Sequence, residues 1–153
     1  MIDVRYTLAA MLIASLLWIG FVGAISFMEA WIKFRAPSVT VTIGLEIGRL
    51  VFNALNKVEW ALAAIIVIAL LIEGGFPRMS QWFWWAIPMT VLIIQTFWLL
   101  PGLDQRAVAQ IQGEALPPSN LHWYYVAGEC IKTVSLLLFS LSFFNWSYSS
   151  AMS

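Results

Sequence analysis

Residues 43–75 read IGLEIGRLVFNALNKVEWALAAIIVIALLIEGG, and the two halves of this stretch differ in kind. From Val58 to Ile72 every residue except Glu59 is apolar, whereas the first half carries Glu46, Arg49, Asn53, Asn56 and Lys57. Most of these polar residues recur at helical spacing and so share one face. A helix that begins as a polar stripe and ends as hydrocarbon is predicted to span a membrane, with its first turns against other polar groups. Counting back about 20 residues from Ile72, at about 1.5 Å each, places the edge of the hydrocarbon near Asn53. Arg49 then lies near the headgroups. Lys57 and Glu59 fall roughly 6–9 Å inside, where a lysine can snorkel and a glutamate has little reach.

Composition carries the same conclusion to the whole chain. Of 153 residues, 61% are hydrophobic and 10% are charged, with a mean hydropathy of +0.85. That leaves too little polar surface to coat a soluble domain. Eight basic and eight acidic side chains balance, so there is no basic field for nucleic acid. The single cysteine, Cys130, excludes an internal disulfide and any multi-cysteine metal or redox motif. The predicted fold is an all-α polytopic membrane protein: one integral domain, residues 1–153, forming a bundle of four transmembrane helices with short loops.

The first span is predicted over residues 7–28. Its apolar run is longer than that of a signal peptide and has no distinctly basic flank; a leader cleaved after Val22-Gly23-Ala24 is the alternative. Glu29 closes the span, Trp31, Lys33, Phe34 and Arg35 anchor it, and Pro37 ends the helix. Ser38 or Thr40 can cap the second span, residues 45–72. Gly74, Gly75 and Pro77 turn the chain, with Arg78 the base at that end. Trp82, Phe83, Trp84 and Trp85 open the third span, residues 82–100, as an interfacial belt. Pro88 is expected in its first turns and a break at Pro101-Gly102, with Gln95 as its one strongly polar buried group. Leu103, Ala107 and Ile111 then mark an amphipathic segment on the membrane surface. The fourth span, residues 122–146, has Trp123, Tyr124 and Tyr125 at one interface and Trp146 and Tyr148 at the other. Its apolar run, residues 134–144, is too short to cross a bilayer, so Glu129, Cys130 and Lys132 must enter the membrane. Glu129 and Lys132 are three apart and can neutralise each other.

Lys33, Arg35 and Arg106, with Arg49 close by, outnumber Arg5 and Arg78. The first and third loops are therefore expected in the cytoplasm and both termini in the periplasm of a bacterial inner membrane. In that orientation Glu29, Arg49, Asn53, Asn56, Lys57, Glu59, Gln95, Glu129 and Lys132 form a polar layer in the cytoplasmic half, and the outer half is nearly all apolar. One reading is structural: interhelical polar contacts lock the bundle, each contributing about 0.5–2 kcal/mol. The other is a site for an ion, proton or solute, because ionisable groups in hydrocarbon are costly. Contacts with a partner subunit are the third.

Catalytic signatures are absent: no HExxH, G-x-S-x-G, glycine-rich phosphate loop or CxxC occurs. The lone histidine, His122, reads as an interfacial group and cannot supply both axial ligands of a haem. Cys130 and His122 are eight residues apart on one helix, about 12 Å, too far for a shared metal without a partner helix. The scattered methionines read as packing. No cofactor, metal or enzymatic role is expected. Gly20, Gly23 and Ala24 permit close packing of the first span, and Gly44 and Gly48 form a G-x-x-x-G that can serve a dimer.

The blocks WIGFVGAISFMEAWIKFRAP, IGRLVFNALNKVEWAL and LPGLDQRAVAQIQGEALPPSNLHWYYVAGECIKTVSLL cover most of the chain. They resemble small bacterial four-span proteins of unsettled biochemistry and, more distantly, the transmembrane protein 205-like family. The likeness rests on a glycine-containing first span, Phe52-Asn53, Leu100-Pro101 with Arg106, and His122 opening the fourth span. It implies a four-helix membrane bundle with a loose association with metal-drug tolerance, which the histidine and cysteine content here does not favour. Small multidrug exporters share the size and helix count but have a central first-span carboxylate, which is absent: Glu29 lies at the span's end. The expected function is therefore non-enzymatic binding or movement of a small polar or cationic solute. The alternative is an accessory subunit of a larger energy-converting or transport complex. The expected partners are the lipid bilayer and either further copies of the chain or other integral membrane subunits.

Overall fold

The computed structural model describes residues 4–74 and 79–151, with side chains placed for residues 5–74 and 79–143. It is all-helical, with no strand among the described residues. Helix α1 (Val4–Val22) runs on through a π turn (Gly23–Glu29), a single helical turn (Ala30–Ile32) and a 3₁₀ turn (Lys33–Arg35). Helix α2 is Val41–Glu73; α3 (Met79–Ile94) passes through a second π turn (Gln95–Leu99) into α4 (Leu100–Ile111); α5 is Leu121–Ala151. Four helical runs, Arg5–Arg35, Val41–Glu73, Met79–Ile111 and Leu121–Phe143, are long and apolar enough to cross a membrane.

The ends of α2 follow from local chemistry. The Thr40 hydroxyl accepts from the Ile43 backbone N–H at 3.3 Å, satisfying one of the orphan donors of the first turn. Gly74 closes the helix with φ +75°, a conformation that costs a residue without Cβ nothing. The remainder of the expected turn, Gly75, Pro77 and Arg78, lies outside the described residues, as do the side chains of Trp146 and Tyr148.

Helix α1 packs on α2 and α5, α3 packs on α5, and α4 packs back on α2, which closes the ring. The buried stripe of α1, Met11, Ala14, Ser15, Trp18 and Val22, has helical periodicity, while Ile13, Leu16, Leu17 and Phe21 face outward. A core of α1, α2, α3 and α5 side chains includes Trp18, Ile66, Trp85, Leu92, Phe139 and Phe143. Trp18 meets Trp85 edge-on with centroids 6.2 Å apart, and Trp85 lies 5.8 Å from Phe139. Trp85 is therefore a core residue, whereas Trp82 and Phe83 are exposed as an interfacial belt requires. The serines of the apolar faces satisfy themselves: Ser15 and Ser140 donate to the carbonyls of Met11 and Leu136 one turn back, at 2.8 and 2.9 Å.

Several sequence expectations change. The third helix does not break at Pro101-Gly102: the π turn rearranges the ladder just before it, and Pro101 sits in the first turn of α4, where a missing N–H costs little. The amphipathic segment is thus continuous with α3. Because α3 starts at Met79, Pro88 lies inside it, beyond the opening turns, and is buried. Gln81 joins Gln95 as a buried amide of that helix. The end of the bundle remote from Lys33 is not purely apolar, since the Thr7 hydroxyl donates to Glu73 there. Among the described residues nothing approaches within 4 Å of where a Cβ on Gly20 or Gly23 would stand. Gly44 and Gly48 serve the chain itself: a Cβ on Gly44 would stand 2.0 Å from the Phe34 ring, and one on Gly48 would stand 3.0 Å from the Lys33 ammonium.

Candidate functional site

Midway along the bundle the helices converge on buried charges. Glu59 lies near the middle of α2, and Gln95 is the central residue of the Met79–Ile111 run. Glu59, Gln95, Glu129 and Lys132 are each 0% exposed. The Lys132 ammonium donates to Glu59 Oε1, to Gln95 Oε1 at 2.6 Å and to Glu129 Oε1 at 3.1 Å, so all its protons are used. Gln95 Nε2 donates to Glu129 Oε1 at 2.9 Å, and the Trp18 indole donates to Glu59 Oε1 at 2.8 Å. Each of the four helical runs thus contributes one or more members of a single network.

The π turns explain how α1 and α3 reach this point. A π turn inserts one residue into the helical ladder, rotates the side chains that follow and is frequent at functional sites. One π turn begins at Gln95 itself; the other carries Ser26, which is buried. Thr96, next in the second turn, donates to the Leu92 carbonyl at 2.7 Å and accepts from Asn56 at 2.9 Å and from the Trp60 indole at 3.0 Å. Thr96→Val removes the acceptor of two donors at once and is expected to cost about 1–3 kcal/mol. It should be read as a lower Tm in detergent; an unchanged Tm contradicts this role for Thr96.

Between the network and the end of the bundle that carries Lys33 lies a cavity of about 400 Å³. Phe34, Phe52, Asn53, Asn56, Thr96 and Tyr125 line it, with Lys33, Arg49, Asp104 and His122 also on its walls. Arg49 grips Asp104 through two hydrogen bonds, 2.6 and 3.1 Å. Lys33 pairs with Glu29 at 3.3 Å, and its ammonium stands 5.5 and 5.7 Å from the centroids of the Phe34 and Phe52 rings. The aromatic wall therefore already accommodates an ammonium group. Phe52 meets Tyr125 edge-on at 5.3 Å.

Tyr125 joins the cavity to the network. It lines the cavity, is 2% exposed, and holds its hydroxyl beside Glu129 and Ser26. Its hydroxyl, Ser26 Oγ, Glu59 Oε2 and Glu129 Oε2 are buried without a hydrogen-bond partner of good geometry. On the other side of the network the Trp18, Trp85, Phe139 and Phe143 core closes the bundle.

Of the expected layer, Glu59, Gln95, Glu129 and Lys132 bond directly to one another. Arg49, Asn53 and Asn56 line the cavity, and Glu29 is linked to it only through its pair with Lys33. Lys57 is exposed, because two residues of helix turn it to the side opposite Glu59. Arg49 acts on Asp104, since ten residues separate it from Glu59, about 15 Å along the axis. Tyr125 is buried between helices, unlike its interfacial neighbours Trp123 and Tyr124. Trp18, Ser26, Phe52, Thr96, Asp104 and Tyr125 were not among the expected site residues. A tryptophan in mid-span, away from either belt, was a signal for a buried acceptor; Tyr125, one turn before Glu129, was another. Among the described residues no group of three or more His, Cys, Asp or Glu side chains is placed to hold a metal. Cys130 is exposed and free. Compared with protein-family models, curated proteins and solved structures, the chain matches none.

Proposed function

We propose that the chain is a multi-pass membrane protein that binds a small organic cation in the Phe34–Phe52–Tyr125 cavity and passes it across the bilayer. The observation that carries this reading is the cavity's position: it opens at one end of the bundle and its wall residue Tyr125 touches a buried network with more carboxylates than ammonium groups. Aromatic faces attract cations, best where water is scarce. The charges at the mouth, Arg49–Asp104 and Lys33–Glu29, are internally paired, so they leave the second carboxyl of the network as the group able to balance the charge of an entering solute. A soft organic cation also suits an apolar lining better than a small hydrated ion does. The aromatic core beyond the network supports a protein open on one side at a time. By the bias of loop charges, the open side is the cytoplasmic face of a bacterial inner membrane.

Choline tests the reading, with its neutral isostere 3,3-dimethyl-1-butanol as control. Purified protein in lipid nanodiscs is expected to bind choline saturably in calorimetry and to bind the neutral alcohol far less. Phe52→Ala should weaken choline binding about 2- to 30-fold, the loss of one cation–π face. Absence of saturable choline binding, together with a stoichiometric membrane partner recovered on gentle extraction, would favour an accessory subunit instead.

A further inference from the structure

We propose that the Glu59–Lys132–Glu129 network holds one exchangeable proton on its pair of carboxyls, and that a cation entering the cavity displaces it. The second half of this inference rests on the function proposed above; the first does not. Two carboxylates share one ammonium, and all three side chains are fully buried. With both carboxylates ionised the network carries one net negative charge in an apolar bundle, a state costing several kcal/mol unless something neutralises it. Among the described residues the groups facing the network supply no second cation: Trp18 and Ser26 from the first helical run, Gln95 from the third, and Tyr125 from α5 are neutral. Lys33 and Arg49 are committed to Glu29 and Asp104.

Each carboxylate leaves one buried oxygen without a hydrogen-bond partner, Glu59 Oε2 and Glu129 Oε2, and the proton rests on one of them. The other oxygen of each carboxylate is engaged by donors: Lys132 and Trp18 at Glu59 Oε1, and Lys132 and Gln95 at Glu129 Oε1. On exchange the carboxyl O–H bond breaks, the carboxylate keeps the electron pair and the proton is released to solvent. The charge of the solute then replaces that of the proton.

Infrared spectroscopy of the protein in lipid, without solute, tests the proton directly. At neutral pH the wild type should show the carbonyl stretch of a protonated carboxylic acid, shifted in D₂O. The band should vanish in Glu129→Gln and also in Glu59→Gln, because either change leaves one carboxylate matched to Lys132. Adding choline to the wild type should diminish the band and release protons to a pH dye. Absence of the wild-type band, or its survival in both glutamine variants, overturns the proton. A band that choline leaves unchanged, in protein shown to bind choline, overturns the exchange. Neither result bears on the binding isotherm, so the two readings fail separately.

Discussion

Lys132→Met is expected to destabilise the protein by about 3–5 kcal/mol, the loss typical of breaking a buried ion pair from one side. Lys132 donates to three acceptors, on Glu59, Gln95 and Glu129, and its removal leaves Glu59 and Glu129 facing each other with no cation among the described residues that contact them. Methionine fills the space of the aliphatic stem, so the effect isolates charge from packing. One further observation separates this account from a general disturbance of the core. The deficit should be largely recovered in the triple variant Lys132→Met, Glu59→Gln, Glu129→Gln, which removes every charge from the network. Equilibrium unfolding in detergent measures both. A single variant as stable as wild type, or a triple variant no better than the single, contradicts the assignment of Lys132 as the hub.

The architecture was legible because apolar content and helix length answer to one constraint: in hydrocarbon every backbone polar group must be satisfied within its own helix. The stretch 58–72 and the apolar runs of the other helices needed no further information. Part of the site was legible for the same reason, since Glu59, Gln95, Glu129 and Lys132 are anomalies in otherwise apolar helices. The i, i+3 spacing of Glu129 and Lys132 announced their contact. Which polar residue meets which across helices was not legible. Arg49 and Glu59 share a helix, yet one pairs with Asp104 of α4 and the other with Lys132 of α5, because pairing depends on which helices are neighbours in the ring. The π turns were also hidden, as no residue type specifies them. One π turn carries the buried Ser26, and a second, on the third helical run, begins at Gln95. The dipeptide Pro101-Gly102 misled in the same way: it reads as a stop, and the preceding π turn lets the helix pass through it.

The glycines carry a related lesson. A G-x-x-x-G spacing marks a place where something comes close, and here that something is Phe34 and Lys33 of the same chain. Gly44 and Gly48 make room for the segment after α1 to fold over the cavity and set Lys33 against its aromatic wall. The motif therefore belongs to the site and gives no support to a dimer.

The central claim is that the buried network serves a cation in the cavity and does more than fasten the bundle. Uptake of radiolabelled choline into proteoliposomes, wild type against Glu129→Gln, tests it most directly. Removing the carboxylate next to Tyr125 takes away one charged partner, worth about 1.5–3 kcal/mol, and is expected to lower the uptake rate about 10- to 100-fold. Because the glutamine leaves Lys132 matched to Glu59, the fold should be as stable as wild type or more so. Uptake reduced to that extent in a protein of undiminished Tm is the result expected; wild-type uptake by Glu129→Gln would contradict the claim and leave the network a structural fastening.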